Sequence, residues 1–231
     1  MGAPWQASRQ RVMYYSAAVF RRLLDAMSRP GTLETIPVPD ALSGIPKGED
    51  LVDLLPPNEG GYFHNRYALG ALTTLLDRET TFALGGAGGW IEQETSLSRW
   101  LERFGGTRMS RPADVDFALF LDGQSGVLLS ALRQGTEAAP EDGATAFICV
   151  SALLGEPMSG GTALELQGPG IRETTTITVW GLPIISQEAI VATRKAYPLG
   201  VDIFLVDRQG RCAGLPRTTR VSVVSVEAEE G

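Results

Sequence analysis

From Val201 to Val206 every position is apolar except Asp202, and the side chains are mostly β-branched or aromatic. A strand apolar on both faces is covered on both sides, so this run is predicted near the middle of a sheet. Asp207-Arg208-Gln209-Gly210 has the composition of a tight turn, with Gly last, and predicts a hairpin. Pro216 has no N–H for a central ladder, so the returning strand is expected to stop there. The whole stretch from Tyr197 to Val226 is the organising segment of the chain. Its polar knot, Pro216-Arg217-Thr218-Thr219, puts a guanidinium and two hydroxyls beside the end of a buried strand.

Upstream, helical and strand periods alternate. Val19, Phe20, Leu23, Leu24 and Met27 recur at helical spacing and predict a helix over about Ser16 to Met27, ended by Pro30-Gly31. Residues 36 to 61, rich in Pro and Gly, predict a long irregular connection with a helical turn near Leu51 to Leu55. Leu69, Leu72, Leu75 and Leu76 mark a second helix over about Asn65 to Leu76. Thr81 to Leu84 is a short strand, and Gly85-Gly86-Ala87-Gly88-Gly89 a flexible connection. Ser96 is the expected cap of a third helix carrying Leu97, Trp100, Leu101 and Phe104, closed by Gly105-Gly106. Phe117 to Leu121 predicts a buried strand, and Val127 to Arg133 a short helix. Ala144 to Leu154 and Thr162 to Leu166 predict two strands joined as a hairpin through Gly155 to Gly161. Thr174 to Trp180 predicts another strand. A helix over Gln187 to Ala196, capped by Ser186, follows. The alternation implies an α/β fold, a single domain over residues 1–231, with a mixed β-sheet flanked by helices.

Composition narrows the function classes. The net charge of −7 argues against nucleic acid, which requires clustered Lys and Arg to displace counterions. No apolar run reaches the roughly 18–20 residues of a membrane span. Met1 to Gln6 lacks the charged and apolar regions of a signal peptide, and a cytoplasmic location is expected. Cys149 and Cys212 fall in predicted strands and are expected as buried free thiols. Two cysteines cannot hold an iron–sulfur cluster from this chain alone, and without a Cys-x-x-Cys or a His pair no metal site is predicted.

Candidate chemistry is sparse. His64 is the only histidine, so any Ser–His or Cys–His unit must use it; at a helix entry the structural role is the simpler expectation. The Gly85 to Gly89 run lies where phosphate loops occur, but no Lys-Ser or Lys-Thr follows it. Gly168-Pro169-Gly170 is expected as a turn, since Pro169 removes a donor from any phosphate nest. Arg217, Thr218 and Thr219 are the candidate anion-binding or interface residues: Arg grips phosphate bidentately and hydroxyls add donors. The alternative for Arg217 is structural, closing carbonyls or an acid such as Asp202. No catalytic residue is assigned. A pyridoxal-phosphate Schiff base needs a lysine, and the chain has only Lys47 and Lys195, neither in a supporting motif, so no cofactor is expected.

A set of ordered blocks carries a resemblance. Phe20 to Gly31, Leu75 to Thr80, Gly135 to Thr145, Gly168 to Ile171, Tyr197 to Asp202 and Leu215 to Thr219 resemble, in order, the H subunit of the bacterial carbon–phosphorus lyase system. The blocks span nearly the whole chain, with 36 to 61 and 85 to 89 matching least. The resemblance implies an accessory subunit, with no complete active site of its own, of the complex that makes alpha-D-ribose 1-methylphosphonate 5-triphosphate. There an alkylphosphonate displaces adenine from the ribose of ATP. It implies core partners named G, I and J, and a homodimer when isolated. It also implies a fold like the large domain of pyridoxal-phosphate-dependent transferases without the cofactor. The alternative is an independent phosphate- or nucleotide-binding enzyme using Arg217, Thr218 and Thr219.

Overall fold

Apolar residues on both faces of its central strands let one large sheet carry two separate cores. The computed structural model describes residues 4–224 apart from Glu59; Met1 to Ala3 and the last two residues of the organising segment, Ser225 and Val226, lie outside it. In chain order the elements are α1 (Pro4–Ser28), β1 (Glu34–Thr35), α2 (Arg66–Leu75), β2 (Thr81–Gly86), β3 (Gly89–Trp90), α3 (Ser96–Gly105), β4 (Arg108–Met109) and β5 (Phe117–Phe120). There follow β6 (Thr145–Cys149), β7 (Ala152–Leu154), β8 (Thr162–Gln167), β9 (Thr175–Trp180), α4 (Ile184–Thr193), β10 (Asp202–Val206), β11 (Arg211–Leu215) and β12 (Arg220–Val224).

The larger sheet has eight strands in the order β1-β11-β10-β6-β5-β2-β3, with β4 also on β2. β2, β5, β6 and β10 are parallel neighbours. β11, β1 and β3 add antiparallel strands, so the sheet is mixed and helices flank it, as the sequence pattern predicts. Successive side chains of a strand point to opposite faces. Phe82, Leu84, Leu119, Phe147 and Phe204 therefore pack beneath α1, α2 and α3. Ala83, Ala118, Phe120, Ile148, Ile203 and Leu205 pack on the other side with Leu129, Ile190 and the inner residues of a second sheet. β10 lies inside the sheet, and turns back into β11 at Asp207 to Gly210, which ends before Pro216. On β11, Gly214 is required by α1, since a Cβ there would lie 2.6 Å from the Ala26 backbone.

Several expectations need correction. The later strands do not all join one sheet: β12-β8-β9-β7 form a separate four-stranded antiparallel sheet. β7 pairs with β9 rather than β8, so Gly155 to Gly161 does not close a hairpin between neighbours. Local composition marks the turn but not which strand the chain meets next. Gly85 to Gly89 is a tight β-hairpin, not a flexible connection: β2 continues through Gly86, and Ala87 (φ 51°) and Gly88 (φ 77°) make the turn. Positive φ at both central residues suits the twist of the two strands. The expected helix over Val127 to Arg133 is a 3-10 helix at Gln124–Ala131. α3 is capped by Thr95, in a reciprocal box with Ser98, and not by Ser96. α4 starts at Ile184, where no side chain caps it, and the Ser186 hydroxyl instead donates to Gln124 O at 3.0 Å.

The first helix is longer than expected and its predicted stripe is split. Tyr15, Val19, Leu23 and Ala26 are buried, whereas Phe20 (45% exposed) and Leu24 (53%) face out. At 100° per residue, the apolar arc of α1 is wider than the face a single core can cover.

Candidate functional site

A cavity of about 580 Å³ opens at the carboxyl ends of the four parallel strands. Its walls come from the residues just after each strand: Ala87 after β2, Asp122 after β5, Ser151 after β6 and Arg208 after β10. Leu54 to Pro56, Asn58, Tyr62 to Asn65 and the entry to α4 at Leu182 and Pro183 complete it. In open α/β sheets ligands bind outside the carboxyl ends of the strands, and this volume is of the size small molecules fill.

Two buried polar residues position the floor. Asn65 caps α2, accepting from Tyr67 N (2.9 Å) and Ala68 N (3.2 Å). Its amide nitrogen donates to Val206 O (3.1 Å) and Asp207 O (2.7 Å), tying the start of α2 to the end of β10. Asp207 is fully buried and accepts from Gln209 N, Arg211 N and Arg211 Nε within the hairpin. It also accepts from Leu153 N (3.1 Å), which joins the hairpin to the second sheet. With Asp207 committed inward, the next residue, Arg208, faces out at the cavity; among the described residues its guanidinium makes no ion pair.

The other charged wall residue, Asp122, is saturated by neighbours. Its carboxylate accepts from Ala87 N (2.5 Å), Ser125 N (2.8 Å) and the Ser125 hydroxyl (2.9 Å). Gly88 N points at the same hydroxyl, at 3.3 Å. The glycine-rich turn therefore spends its amides on the protein's own groups and is not a free phosphate cradle.

His64 is 2% exposed. Its Nε2 lies 2.8 Å from Pro46 O, which can only accept, so Nε2 carries the proton. Nδ1 is then an acceptor, buried and without a partner among the described residues. Burial holds the imidazole pKa below its ordinary value, against the opposing pull of the Pro46 carbonyl, and His64 is neutral near pH 7. Cys149, also in the wall, has its thiol pushed up to about 12 by burial. Both cysteines are free and buried, as expected. A neutral histidine, a protonated thiol and one unpaired guanidinium equip the cavity to bind a ligand rather than to activate a nucleophile.

The residues singled out from sequence lie elsewhere. Arg217 sits at the amino edge of the parallel sheet, one strand length, roughly 15 Å, from the cavity. Its Nη2 is 2.6 Å and its Nε 3.3 Å from the Asp202 carboxylate, its N–H donates to Asp202 at 2.8 Å, and Nη1 donates to Pro140 O. This is the structural arrangement carried as the alternative for Arg217. Thr219 is fully buried and its hydroxyl has no partner among the described residues. Thr218 O packs against Gly168, in the turn expected there. Neither Lys47 nor Lys195 lines the cavity. Among the described residues no group of three His, Cys, Asp or Glu side chains is placed to hold a metal. The residues missed were Asp122 and Arg208. The signal for both was positional: each follows a predicted buried strand by one or two residues.

Fold and cavity together define an α/β protein with a mixed central sheet, parallel at its centre, and a cavity at the carboxyl ends of the parallel strands. The chain belongs to the PhnH family of bacterial phosphonate metabolism proteins, whose model matches residues 8–222. It is 29% identical over 210 residues to the alpha-D-ribose 1-methylphosphonate 5-triphosphate synthase subunit PhnH of Rhizobium meliloti (strain 1021), covering 90% of this chain and 91% of the relative. It is 31% identical over 220 residues to a Stutzerimonas stutzeri protein named "Putative C-P lyase subunit protein HtxG", covering 95% and 89%. The ordered blocks of the resemblance are thus part of a match along nearly the full chain.

Proposed function

We propose that this chain is an accessory subunit of the carbon–phosphorus lyase core complex in phosphonate catabolism. In that role it supports transfer of an alkylphosphonate onto the ribose of ATP, with release of adenine. The observation that carries this is the near-complete match to a family in which a relative is named as a subunit of that synthase. Its partners are the G, I and J subunits, its location is the cytoplasm, and alone it is a homodimer. Among the described residues no helix is long and apolar enough to cross a membrane. The outer face of α1 supports docking to another chain: Met13, Ala17, Phe20 and Leu24 form an exposed apolar stripe. The sheet is the counterpart of the large domain of pyridoxal-phosphate-dependent transferases, in a form without cofactor.

Co-expression with G, I and J followed by native mass tests the assignment. A stoichiometric complex containing this chain is expected; partners that assemble without it would refute the role. Sedimentation of the isolated chain at micromolar concentration should give a dimer. A second reading, an independent phosphate- or nucleotide-binding enzyme built on Arg217, Thr218 and Thr219, has one observation in its favour, the buried unpartnered Thr219 hydroxyl. The full engagement of Arg217 by Asp202 and Pro140 weighs against it.

A further inference from the structure

We propose that the carboxyl-edge cavity binds a small organic oxyanion, with the charged head on the Arg208 guanidinium and an uncharged body against Leu54 and Leu182. The position of the cavity, its guanidinium and its apolar walls each support this.

The cavity gathers the ends of β2, β5, β6 and β10, the place where parallel strands leave backbone and loop groups free to meet a ligand. Among the described residues, the wall side chains of acidic or basic type, His64 aside, are Arg208 and Asp122. The Asp122 oxygens already accept three hydrogen bonds from the protein, so that side chain is held by its neighbours and its acceptors are occupied. Arg208 has no carboxylate partner among the described residues, although acids outnumber bases in this chain by 27 to 20. Among the described residues the cavity therefore presents a guanidinium without an ion-pair partner. A guanidinium offers two parallel N–H donors that match a carboxylate, phosphate or phosphonate edge. Leu54, Leu55, Phe63, Val150 and Leu182 supply apolar wall, which an inorganic ion does not need and an organic body does. The side of the cavity is stiffened by Asn65 and Asp207, both buried and fully bonded, so the neighbour that reaches the ligand stands on a fixed base.

This inference does not depend on membership of the complex, and its test uses the isolated full chain. Calorimetry is run with methylphosphonate, ribose 5-phosphate, acetate and inorganic phosphate as probes. Saturable one-to-one binding of at least one of the three organic probes is expected. Arg208→Gln should weaken it at least tenfold without changing the thermal midpoint, because Arg208 is exposed. Arg172→Gln, an exposed arginine outside the cavity, should leave it unchanged. Differences among the organic probes identify the oxyanion. Binding of inorganic phosphate alone, no saturation with any probe, or equal losses in both arginine variants would overturn the proposal. Binding lost on Arg217→Gln in a folded protein, yet kept on Arg208→Gln, would move the site to the amino edge of the sheet. Neither result bears on assembly with G, I and J, which native mass decides separately.

Discussion

The two ends of the parallel sheet each carry an arginine after a strand, and the two are held in opposite ways. At the amino edge, Arg217 is clamped by both oxygens of Asp202 and by Pro140 O, and its side chain in the Asp202 pair is 13% exposed. Arg194 lies beside it, half-buried, donating to Val201 O and Leu215 O; burial lowers its pKa to about 10, against the pull of Asp202. Both of these arginines hold the chain. At the carboxyl edge the acid and base functions are split. Asp207 pairs with Arg211 and turns inward, while Arg208 remains free over a cavity. One end uses its charge to close the fold, and the other keeps a charge in reserve for a ligand.

That contrast makes ordered predictions. The largest effect belongs to Asp207→Ala, which leaves Arg211 and three backbone N–H groups without their acceptor. A loss of roughly 3–5 kcal/mol is expected in chemical denaturation. A loss below about 1 kcal/mol would mean that the carboxyl edge is not anchored as described. Asp202→Ala should come next, at about 3 kcal/mol, or roughly 6–12 °C in thermal midpoint, since it releases Arg217 and removes the charge facing Arg194. An unchanged midpoint would break the claim that the amino edge is a structural lock.

A smaller effect concerns pH. The folded pKa of His64 is below its ordinary 6.5, so the unfolded chain binds the proton more tightly. Its contribution to stability is therefore complete above pH 6.5 and is lost as pH falls from there toward the lowered folded value. The midpoint should fall by roughly 3 °C per pH unit in that window. His64→Gln should flatten the profile there; with one histidine in the chain the comparison is clean. Asp116 titrates lower. Burial raises its pKa, but hydrogen bonds from Thr81 and the Arg133 pair outweigh it, so its contribution is present above 3.8 and lost below. The smallest effect is that of Arg208→Gln on stability, within about 0.5 kcal/mol. A large loss of stability there would remove the difference between the two ends.

Much of this arrangement was legible because some residues act locally. The apolar run Val201 to Val206 could only be an inner strand, and Asp207 to Gly210 could only turn. Leu69 and Leu72 placed the inner face of α2 correctly. Other features depend on what lies opposite. On α1, Leu23 and Leu24 are equally apolar, but β11 at Gly214 leaves room for only one face. The cap of α3 fell one residue before the predicted Ser96, because the Ser98 hydroxyl completes the box with Thr95. The candidate site was read from residue type at Arg217, where Asp202 lies fifteen positions away in sequence and 2.6 Å away in space. Arg208 carried no local mark beyond its place after a strand.

The sequence by itself determined the alternation of helices and strands, the inner position of β10, the absence of a cluster-binding cysteine set and the family. All of these follow from short-range periodicity, turn chemistry or ordered blocks. Only the tertiary structure decided that β7, β8, β9 and β12 form a second sheet, since an antiparallel strand can satisfy its ladder with any neighbour the chain brings alongside. It also decided which arginine is spent and which is free. Pairing is a question of which carboxylate reaches which guanidinium, and here the long-range packing of strands brings Asp202 to Arg217 and leaves Arg208 facing the cavity.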